Sequence, residues 1–99
     1  MLSSAMFAPV VMYRTRFCPY CTRAADLLRR KGAEFKEVDV SGDSDTRQRL
    51  LEKTGSSTVP QIFINGEAIG GYDDIAALDR RGALDALLRA APNGTPHQL

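Results

Sequence analysis

Two cysteines three residues apart, Cys18 and Cys21 in the stretch FCPYC, are the residues best suited to chemistry in this sequence. Such a pair can bind a metal, form a structural disulfide, exchange disulfides with another molecule, or lie in the core as small apolar residues. A structural zinc site needs four ligands, and the chain has only these two cysteines and one histidine, His97. The composition therefore disfavours a metal site built by a single chain.

The charge balance and the N-terminal sequence indicate which kinds of partner the protein lacks and in which compartment it acts. Thirteen lysines and arginines against twelve aspartates and glutamates leave a net charge of +1, too small to attract nucleic acid or an anionic membrane. The stretch MLSSAMFAPVVMY has no basic residue before its apolar run, and no apolar span is long enough for a membrane helix. We therefore expect a cytoplasmic protein with no membrane or nucleic-acid partner. Structural disulfides are rare in that reducing compartment, which favours a catalytic pair over a structural one.

The residues around the cysteines predict a strand–helix–strand unit. VVMYR, residues 10–14, is β-branched and apolar, which is typical of a strand buried on both faces. A helix is predicted from about Pro19, a residue favoured in the first turn, to Lys31, with Gly32 as its C-terminal cap. EFKEVDV, residues 34–40, alternates charged and apolar side chains and predicts a second, more exposed strand. Together these elements would form a right-handed βαβ unit.

The second half of the chain predicts a helix, a hairpin and a C-terminal helical region. TRQRLLEKTG indicates a helix that Gly55 ends, with Leu50 and Leu51 facing inward. QIFIN, residues 61–65, followed by the Asn-Gly turn signal, predicts two antiparallel strands joined by a tight hairpin. Apolar residues at helical spacing predict the last region, broken near Gly82: Ile75, Leu78, Leu84, Leu87 and Leu88.

These elements predict a single α/β domain. Ninety-nine residues suffice for one core but not for two. The order β-α-β-α-β-β-α implies a four-stranded mixed sheet flanked by helices. We place the domain at residues 9–91 and expect residues 1–8 and 92–99 to be flexible tails, because they carry no periodic pattern.

A helix that begins at Pro19 places both cysteines at its N-terminus. Cys18 is then the N-cap and Cys21 the third helical residue, so a thiolate on Cys18 would face free backbone N–H groups, including that of Cys21. This environment lowers a thiol pKa from about 8.5 to roughly 3.5–7.5 in motifs of this kind. Cys18 is therefore the predicted nucleophile and Cys21 the resolving thiol. Three nearby arginines are candidates to add positive potential: Arg14, Arg16 and Arg23.

Two further stretches could complete a binding site. TVPQIF, residues 58–63, places Pro60 at the start of a strand, where a cis peptide bond would leave the backbone N–H and C=O of Val59 available to an extended peptide. GGYDD, residues 70–74, combines two glycines, which allow close backbone approach, with a helix start that can bind a carboxylate. Taken alone, the first stretch is also typical of a plain strand start and the second of a capped loop. Their order after the cysteines favours a joint function.

Through these three motifs the sequence resembles the glutaredoxins, specifically the dithiol class. The resemblance covers residues 9–90 and rests on CPYC, TVPQIFI followed by NG, and GGYDD. It implies a thioredoxin-like fold, a cis peptide bond before Pro60, and glutathione as the reducing co-substrate, with no tightly bound cofactor. It also implies a monomer whose partners are glutathione and proteins that carry disulfides or mixed disulfides with glutathione.

The resemblance assigns roles to individual residues. Cys18 would take up the glutathionyl group, and Cys21 would close the intramolecular disulfide. Asp73 and the N–H groups of the helix start would hold the γ-glutamyl end of glutathione, while Val59 would pair its backbone with the cysteinyl part. Arg47 matches a position that often contacts the glycyl carboxylate. The full predicted glutathione site is Tyr20, Arg47, Thr58, Val59, Pro60, Gly71, Tyr72 and Asp73.

One position departs from the family pattern. Many relatives have a lysine three residues before the nucleophile, where this chain has Thr15. Arg14 and Arg16 are candidates to replace it, and Arg16 is the preferred hypothesis because the chain leaves strand geometry just before the helix.

Two alternative functions stay open. A glutaredoxin-like redoxin reduced by thioredoxin reductase shares the fold and the cysteine pair but has no use for a grip on glutathione by Asp73 and Arg47. An iron–sulfur cluster carrier would use Cys18 from two chains and two glutathiones as ligands. The resemblance attaches that second role mainly to relatives with one active-site cysteine.

Overall fold

Within the described part of the chain, strands and helices follow one another in the predicted order. The computed structural model describes residues 8–91. The strands form one mixed sheet, in which the first strand is parallel to the second and antiparallel to the third, and the fourth is antiparallel to the third. The predicted four-stranded α/β architecture is therefore confirmed. The elements are β1 (Val10–Arg14), α1 (Pro19–Arg30), β2 (Lys36–Asp39), α2 (Ser44–Thr54), β3 (Gln61–Ile64), β4 (Glu67–Gly70), α3 (Tyr72–Arg80) and α4 (Ala83–Arg89).

The strands are ordered β2-β1-β3-β4 in the sheet. An apolar cluster lies on each face of the sheet, so its central strands, β1 and β3, are buried on both faces. In β1, Val10 and Met12 belong to the cluster that contains residues of α1, α3 and α4, whereas Val11 and Tyr13 belong to the cluster on the α2 side. Phe63 of β3 lies in the second cluster, where its ring meets the Tyr13 ring edge-on at 5.7 Å between centroids. The prediction of a first strand buried on both faces is confirmed.

Helix α1 begins where the sequence predicted. Cys18 is its N-cap, Pro19 is the first helical residue, and Lys31 is the C-cap, one residue after the last helical residue. Gly32 follows with φ +75°, the left-handed conformation that glycine adopts most easily at a helix end. Only residues 15–17 separate the end of β1 from the Cys18 N-cap, so no long loop precedes the cysteine pair.

Helix α2 corrects one prediction about the core. It runs from the Asp43 N-cap to Gly55, which adopts φ +79°. Leu50 is 1% exposed and packs in the second cluster, but Leu51 is 38% exposed. The prediction that both leucines face inward is wrong for Leu51. Consecutive helical residues point about 100° apart, and α2 buries only a narrow stripe against the sheet.

Strands β2 and β3 are slightly shorter than predicted. β2 starts at Lys36 rather than at residue 34, and it is more exposed than β1, as expected. Val40 lies beyond the strand, yet it is buried and its N–H donates to the Arg14 carbonyl at 2.7 Å. The Asn65-Gly66 turn has φ +58° and +82°, which fits a type I′ hairpin and confirms the predicted connection of β3 to β4.

The N-terminal boundary needs one correction at Ala8. This residue was assigned to the flexible tail, but it is buried and its N–H donates to the Leu88 carbonyl of α4 at 2.8 Å. The other tail predictions, on residues 1–7 and 92–99, lie outside the described residues. No helix within residues 8–91 is long and apolar enough to cross a membrane.

Candidate active site

The two cysteines lie at the N-terminus of α1, where they form a disulfide. Cys18 is the N-cap, and its sulfur accepts the N–H of Cys21 at 3.1 Å, which confirms the predicted capping geometry. The two residues differ in exposure: Cys21 is 0% exposed, whereas Cys18 is partly exposed. An external thiolate can therefore reach the sulfur of Cys18 but not that of Cys21.

The loop before β3 lies against Cys18 although it is forty residues away in sequence. The Val59–Pro60 peptide bond is cis, as the resemblance implied. The Val59 carbonyl oxygen lies 3.9 Å from Cys18 Sγ. Within residues 8–91 the Val59 N–H has no hydrogen-bond partner. An extended peptide beside Cys18 could thus bond to the backbone of Val59.

A surface cleft of about 230 Å³ lies beside the contact between Val59 and Cys18, since Tyr20 and Val59 both line it. Its aromatic side is formed by Tyr20 and Tyr72, whose ring centroids lie 6.3 Å apart. Of the residues predicted to bind glutathione, only Arg47 is absent from the lining. The lining residues are Tyr20, Thr58, Val59, Pro60, Gly71, Tyr72, Asp73 and Asp74.

Two neighbouring carboxylates at the start of α3 have different environments. Asp74 Oδ2 accepts the Gly71 N–H at 2.8 Å and so caps the helix. Asp73 is exposed and makes no hydrogen bond or ion pair with any residue in 8–91, so its carboxylate is available to a ligand. The role of Asp74 was not predicted. An acid three residues after an N-cap is the signal that could have revealed it.

The paired glycines before α3 lie close to other groups, and at Gly70 there is no room for a side chain. Gly70 has φ +125°, and a Cβ there would collide with the Asp74 carboxylate. A Cβ on Gly71 would lie 3.3 Å from the Pro60 carbonyl oxygen. The glycines therefore let the α3 start lie against the cis-proline loop.

Arg47 does not line the cleft. Its Nη2 donates to the Ser57 carbonyl at 3.2 Å, so the guanidinium supports the loop that carries Thr58. A contact between Arg47 and the glycyl carboxylate of glutathione stays a prediction.

The arginines near the cysteines differ in their partners. Arg14 forms an ion pair with Glu37 of β2 at 2.9 Å, and the Arg16 guanidinium lies 3.9 Å from Asp39. Hydrogen bonds from Ser41 hold the pKa of Asp39 below its usual value. Arg23 instead lies over the Tyr20 ring, 5.4 Å from its centroid. Thiolate stabilisation by Arg16 stays a prediction.

Metal ligands are not gathered in the described part of the chain. Residues 8–91 contain no group of three or more histidines, cysteines, aspartates or glutamates placed to hold a metal ion. Within those residues the site thus consists of a disulfide, a free carboxylate, unpaired backbone and two tyrosines.

Comparison with known families matches residues 10–69 to the family described as Glutaredoxin. The chain belongs to the glutaredoxin family. A glutaredoxin of Pseudomonas aeruginosa is 54% identical over 83% of this chain and 98% of the relative. Glutaredoxin 3 of Escherichia coli K12 is 48% identical over 83% of this chain and 99% of the relative.

Solved glutaredoxin structures share the fold. The buckwheat glutaredoxin–glutathione complex has a TM-score of 0.77 at 34% identity, over 82% of this chain and 76% of that one. Glutaredoxin from Brucella melitensis has a TM-score of 0.77 at 46% identity, over 85% of this chain and 91% of that one. This glutaredoxin therefore has the thioredoxin-like fold, and its cysteine pair is that of a thiol–disulfide oxidoreductase.

Proposed function

We propose that this glutaredoxin is a glutathione-dependent oxidoreductase that reduces protein disulfides and mixed disulfides of proteins with glutathione. The observation that carries the proposal is the cleft beside the reachable sulfur of Cys18, which presents the free carboxylate of Asp73 and the unpaired N–H of Val59. Membership of the family supports it, as does the glutathione complex of the buckwheat relative.

The chemistry of the cleft suits a γ-glutamyl tripeptide. Glutathione has an ammonium group next to a carboxylate at one end, peptide groups in the middle and a second carboxylate at the other end. Asp73 would bind the ammonium group, and N–H groups of Tyr72 and its neighbours at the α3 start would bind the adjacent carboxylate. The backbone of Val59 would pair with the cysteinyl part, which places the glutathione sulfur beside Cys18. Arg47 is proposed to attract the glycyl carboxylate.

The first proposed route uses Cys18 alone. Its thiolate attacks the glutathione sulfur of a mixed disulfide, the bond between the two sulfurs breaks, and the protein leaves as a thiolate that takes up a proton. Cys18 then holds the glutathionyl group. A second glutathione thiolate attacks that sulfur, forms glutathione disulfide and releases the Cys18 thiolate.

The second proposed route uses both cysteines. Cys18 attacks a protein disulfide and forms a mixed disulfide with the protein, and Cys21 then attacks Cys18 and releases the second protein thiol. The resulting disulfide between Cys18 and Cys21 is the state that the structure describes. Two glutathiones would reduce it, the first at the sulfur of Cys18.

The test is reduction of the mixed disulfide of glutathione and 2-mercaptoethanol, coupled through glutathione reductase to NADPH consumption. We expect turnover that depends on the protein and disappears in Cys18→Ser. Absence of turnover from folded, reduced wild-type protein would reject the proposal, and electron transfer from thioredoxin reductase would then be tested instead.

The Cys21→Ser variant separates the two routes. We expect it to keep turnover of the glutathione mixed disulfide and to lose reduction of a protein disulfide, because only the second route needs the resolving thiol. Loss of both activities in a folded variant would contradict this division.

The physiological setting is part of the proposal. We propose that the protein acts as a cytoplasmic monomer, with glutathione as co-substrate and no tightly bound cofactor, on proteins that carry disulfides or glutathione mixed disulfides. Its net charge of +1 supports the expectation of no nucleic-acid or membrane partner.

A further inference from the structure

Phe17, directly before the nucleophile, is exposed to an unusual degree for an aromatic residue. Its side chain is 95% exposed, more than that of any other large hydrophobic residue in the described chain. Phenylalanine is usually buried, because contact between its ring and water is unfavourable. An exposed aromatic ring next to a reactive cysteine is therefore a candidate for contact with a substrate.

The fold makes no use of this ring. Phe17 precedes the N-cap of α1, a position where an apolar side chain often packs against the fourth helical residue. That residue is Thr22, which is polar and exposed. Phe17 also belongs to neither apolar cluster within residues 8–91. Helix capping and core packing thus leave the ring without a structural role.

The backbone next to Phe17 is tied to the rest of the protein. The Arg16 N–H donates to the Ser41 hydroxyl at 3.0 Å, and the Arg14 carbonyl accepts the Val40 N–H at 2.7 Å. On the other side, Cys18 caps α1. The ring is therefore presented from a short segment anchored at both ends.

Phe17 lies outside the cleft that we propose for glutathione. It is absent from the lining, which includes Tyr20 and residues of the two later motifs. Glutathione bound along these lining residues would leave the Phe17 ring, which is 95% exposed, open to a second polypeptide. The polypeptide that carries the reacting cysteine must approach Cys18 without using the space that glutathione occupies.

A substrate polypeptide whose cysteine reacts with Cys18 must pass close to Phe17, because Phe17 is the residue next to Cys18 in the sequence. Adjacent Cα atoms are about 3.8 Å apart, so the residues that flank a substrate cysteine must lie close to the residues that flank Cys18 when the sulfurs react. We propose that Phe17 is a specificity residue that contacts an apolar side chain next to the cysteine of an extended polypeptide substrate. The inference rests on the proposed function and deepens it, because it names which protein thiols the site selects.

The test compares two glutathionylated synthetic peptides that differ only in the residues on both sides of their single cysteine, two leucines or two glycines. Rates are divided by the uncatalysed rate with glutathione alone, which corrects for differences in thiol reactivity. We expect wild type to prefer the leucine peptide in kcat/KM by about three- to tenfold, the effect of removing roughly 30–55 Å² of apolar surface from water at about 25 cal/mol per Å². Phe17→Ala should lose this preference, and Phe17→Trp should keep it.

Two controls make the outcome specific. Leu51→Ala removes another exposed apolar side chain, on α2, and should keep the preference for the leucine peptide. Phe17→Ala should turn over the mixed disulfide of glutathione and 2-mercaptoethanol at the wild-type rate, because this substrate has no polypeptide to contact the ring. If Phe17→Ala keeps the wild-type preference for the leucine peptide, the inference is overturned. Continued reduction of the small mixed disulfide by that variant would show that the proposed function still stands. Wild type that reduces neither peptide nor the small disulfide would instead refute the proposed function.

Discussion

The two cysteine sulfurs differ in what can reach them. Cys21 is fully buried, whereas Cys18 is partly exposed beside the cleft. A thiolate that reduces the disulfide must therefore attack Cys18, with Cys21 as the leaving group. Both proposed routes begin at the same sulfur, so the residues around Cys18 decide which substrates react.

Asp73 and Asp74 are adjacent, yet we expect their substitution to affect different properties. Asp74→Ala removes the hydrogen bond to the Gly71 N–H and should lower the free energy of unfolding by about 0.5–1.5 kcal/mol, the net contribution of a typical hydrogen bond. Asp73→Asn should raise the KM for glutathione by roughly tenfold, as expected for loss of a hydrogen bond between charged groups worth about 1.5 kcal/mol. Urea unfolding and the coupled NADPH assay measure the two effects.

The two aspartate variants serve as controls for each other. Asp73→Asn should leave the free energy of unfolding within about 0.5 kcal/mol of wild type, because this carboxylate has no partner among residues 8–91. An unchanged glutathione KM in Asp73→Asn would remove this residue from the binding site. Unchanged stability in Asp74→Ala would show that the cap contributes nothing.

Individual site residues differed in how well the sequence predicted them. The position of Cys18 as N-cap followed from Pro19, because proline favours the first helical turn. The use of Asp74 as a cap was not predicted, because an acid in a first turn can serve either the helix or a ligand. The exposure of Phe17 could not be predicted from the sequence, because an apolar residue between a strand and a helix can be either buried or exposed.

At the scale of elements, helix α2 depends on its first residues. Asp43 accepts the backbone N–H of Thr46 at 3.1 Å and its hydroxyl at 2.7 Å. These hydrogen bonds, the one from the hydroxyl first, lower the pKa of Asp43 in the folded protein. The helix carries Leu50 into the second apolar cluster and Arg47 to the loop before Thr58, so the cap supports the site indirectly.

The lowered pKa of Asp43 predicts a loss of stability in acid. A carboxyl group whose folded pKa lies below its unfolded pKa stabilises the fold above the unfolded value, about 3.9, and this contribution disappears as the pH falls through the folded value. Asp43→Asn can still cap the helix but does not titrate. Its unfolding free energy, measured by urea at a series of pH values, should therefore fall less steeply in acid than that of wild type. Equal slopes would contradict the prediction.

Element types were predictable because periodicity and turn residues agree along this chain. The hairpin at Asn65-Gly66, the left-handed Gly32 just after α1 and the Gly55 cap of α2 required only local turn chemistry. The prediction that Leu51 faces inward was wrong, because the width of the buried stripe of a helix depends on the elements that pack against it and not on its own sequence.

At the scale of the whole molecule, Lys31 joins the helices on one face of the sheet. At the end of α1 it pairs with Asp79 of α3 and, at 3.3 Å, with Asp85 of α4. The contact with Asp79 is the main reason that the pKa of Lys31 is raised. The helix that carries the cysteines is thereby connected to the C-terminal helices at the end farthest from the disulfide.

The proposed function includes a monomer without a tightly bound cluster, and one experiment tests both. Iron–sulfur clusters are held by four ligands, usually thiolates, and each chain presents one partly exposed cysteine, Cys18, so a cluster would require a second chain and two further thiolates. We expect anaerobically purified protein to be colourless and to elute as a monomer in size-exclusion chromatography. Brown protein that absorbs visible light and elutes as a dimer would favour the cluster carrier instead.

Asn65 holds both ends of the described chain in one place. Its N–H donates to the Pro9 carbonyl at 2.8 Å, and its side-chain amide donates to the Ala91 carbonyl at 2.9 Å. The five residues of β1 span about 17 Å and separate Pro9 from the segment that leads to Cys18. Pro9, Asn65 and Ala91 therefore lie at the end of β1 opposite the reactive sulfur, so a chemical label attached at position 91 would leave the approach to Cys18 open.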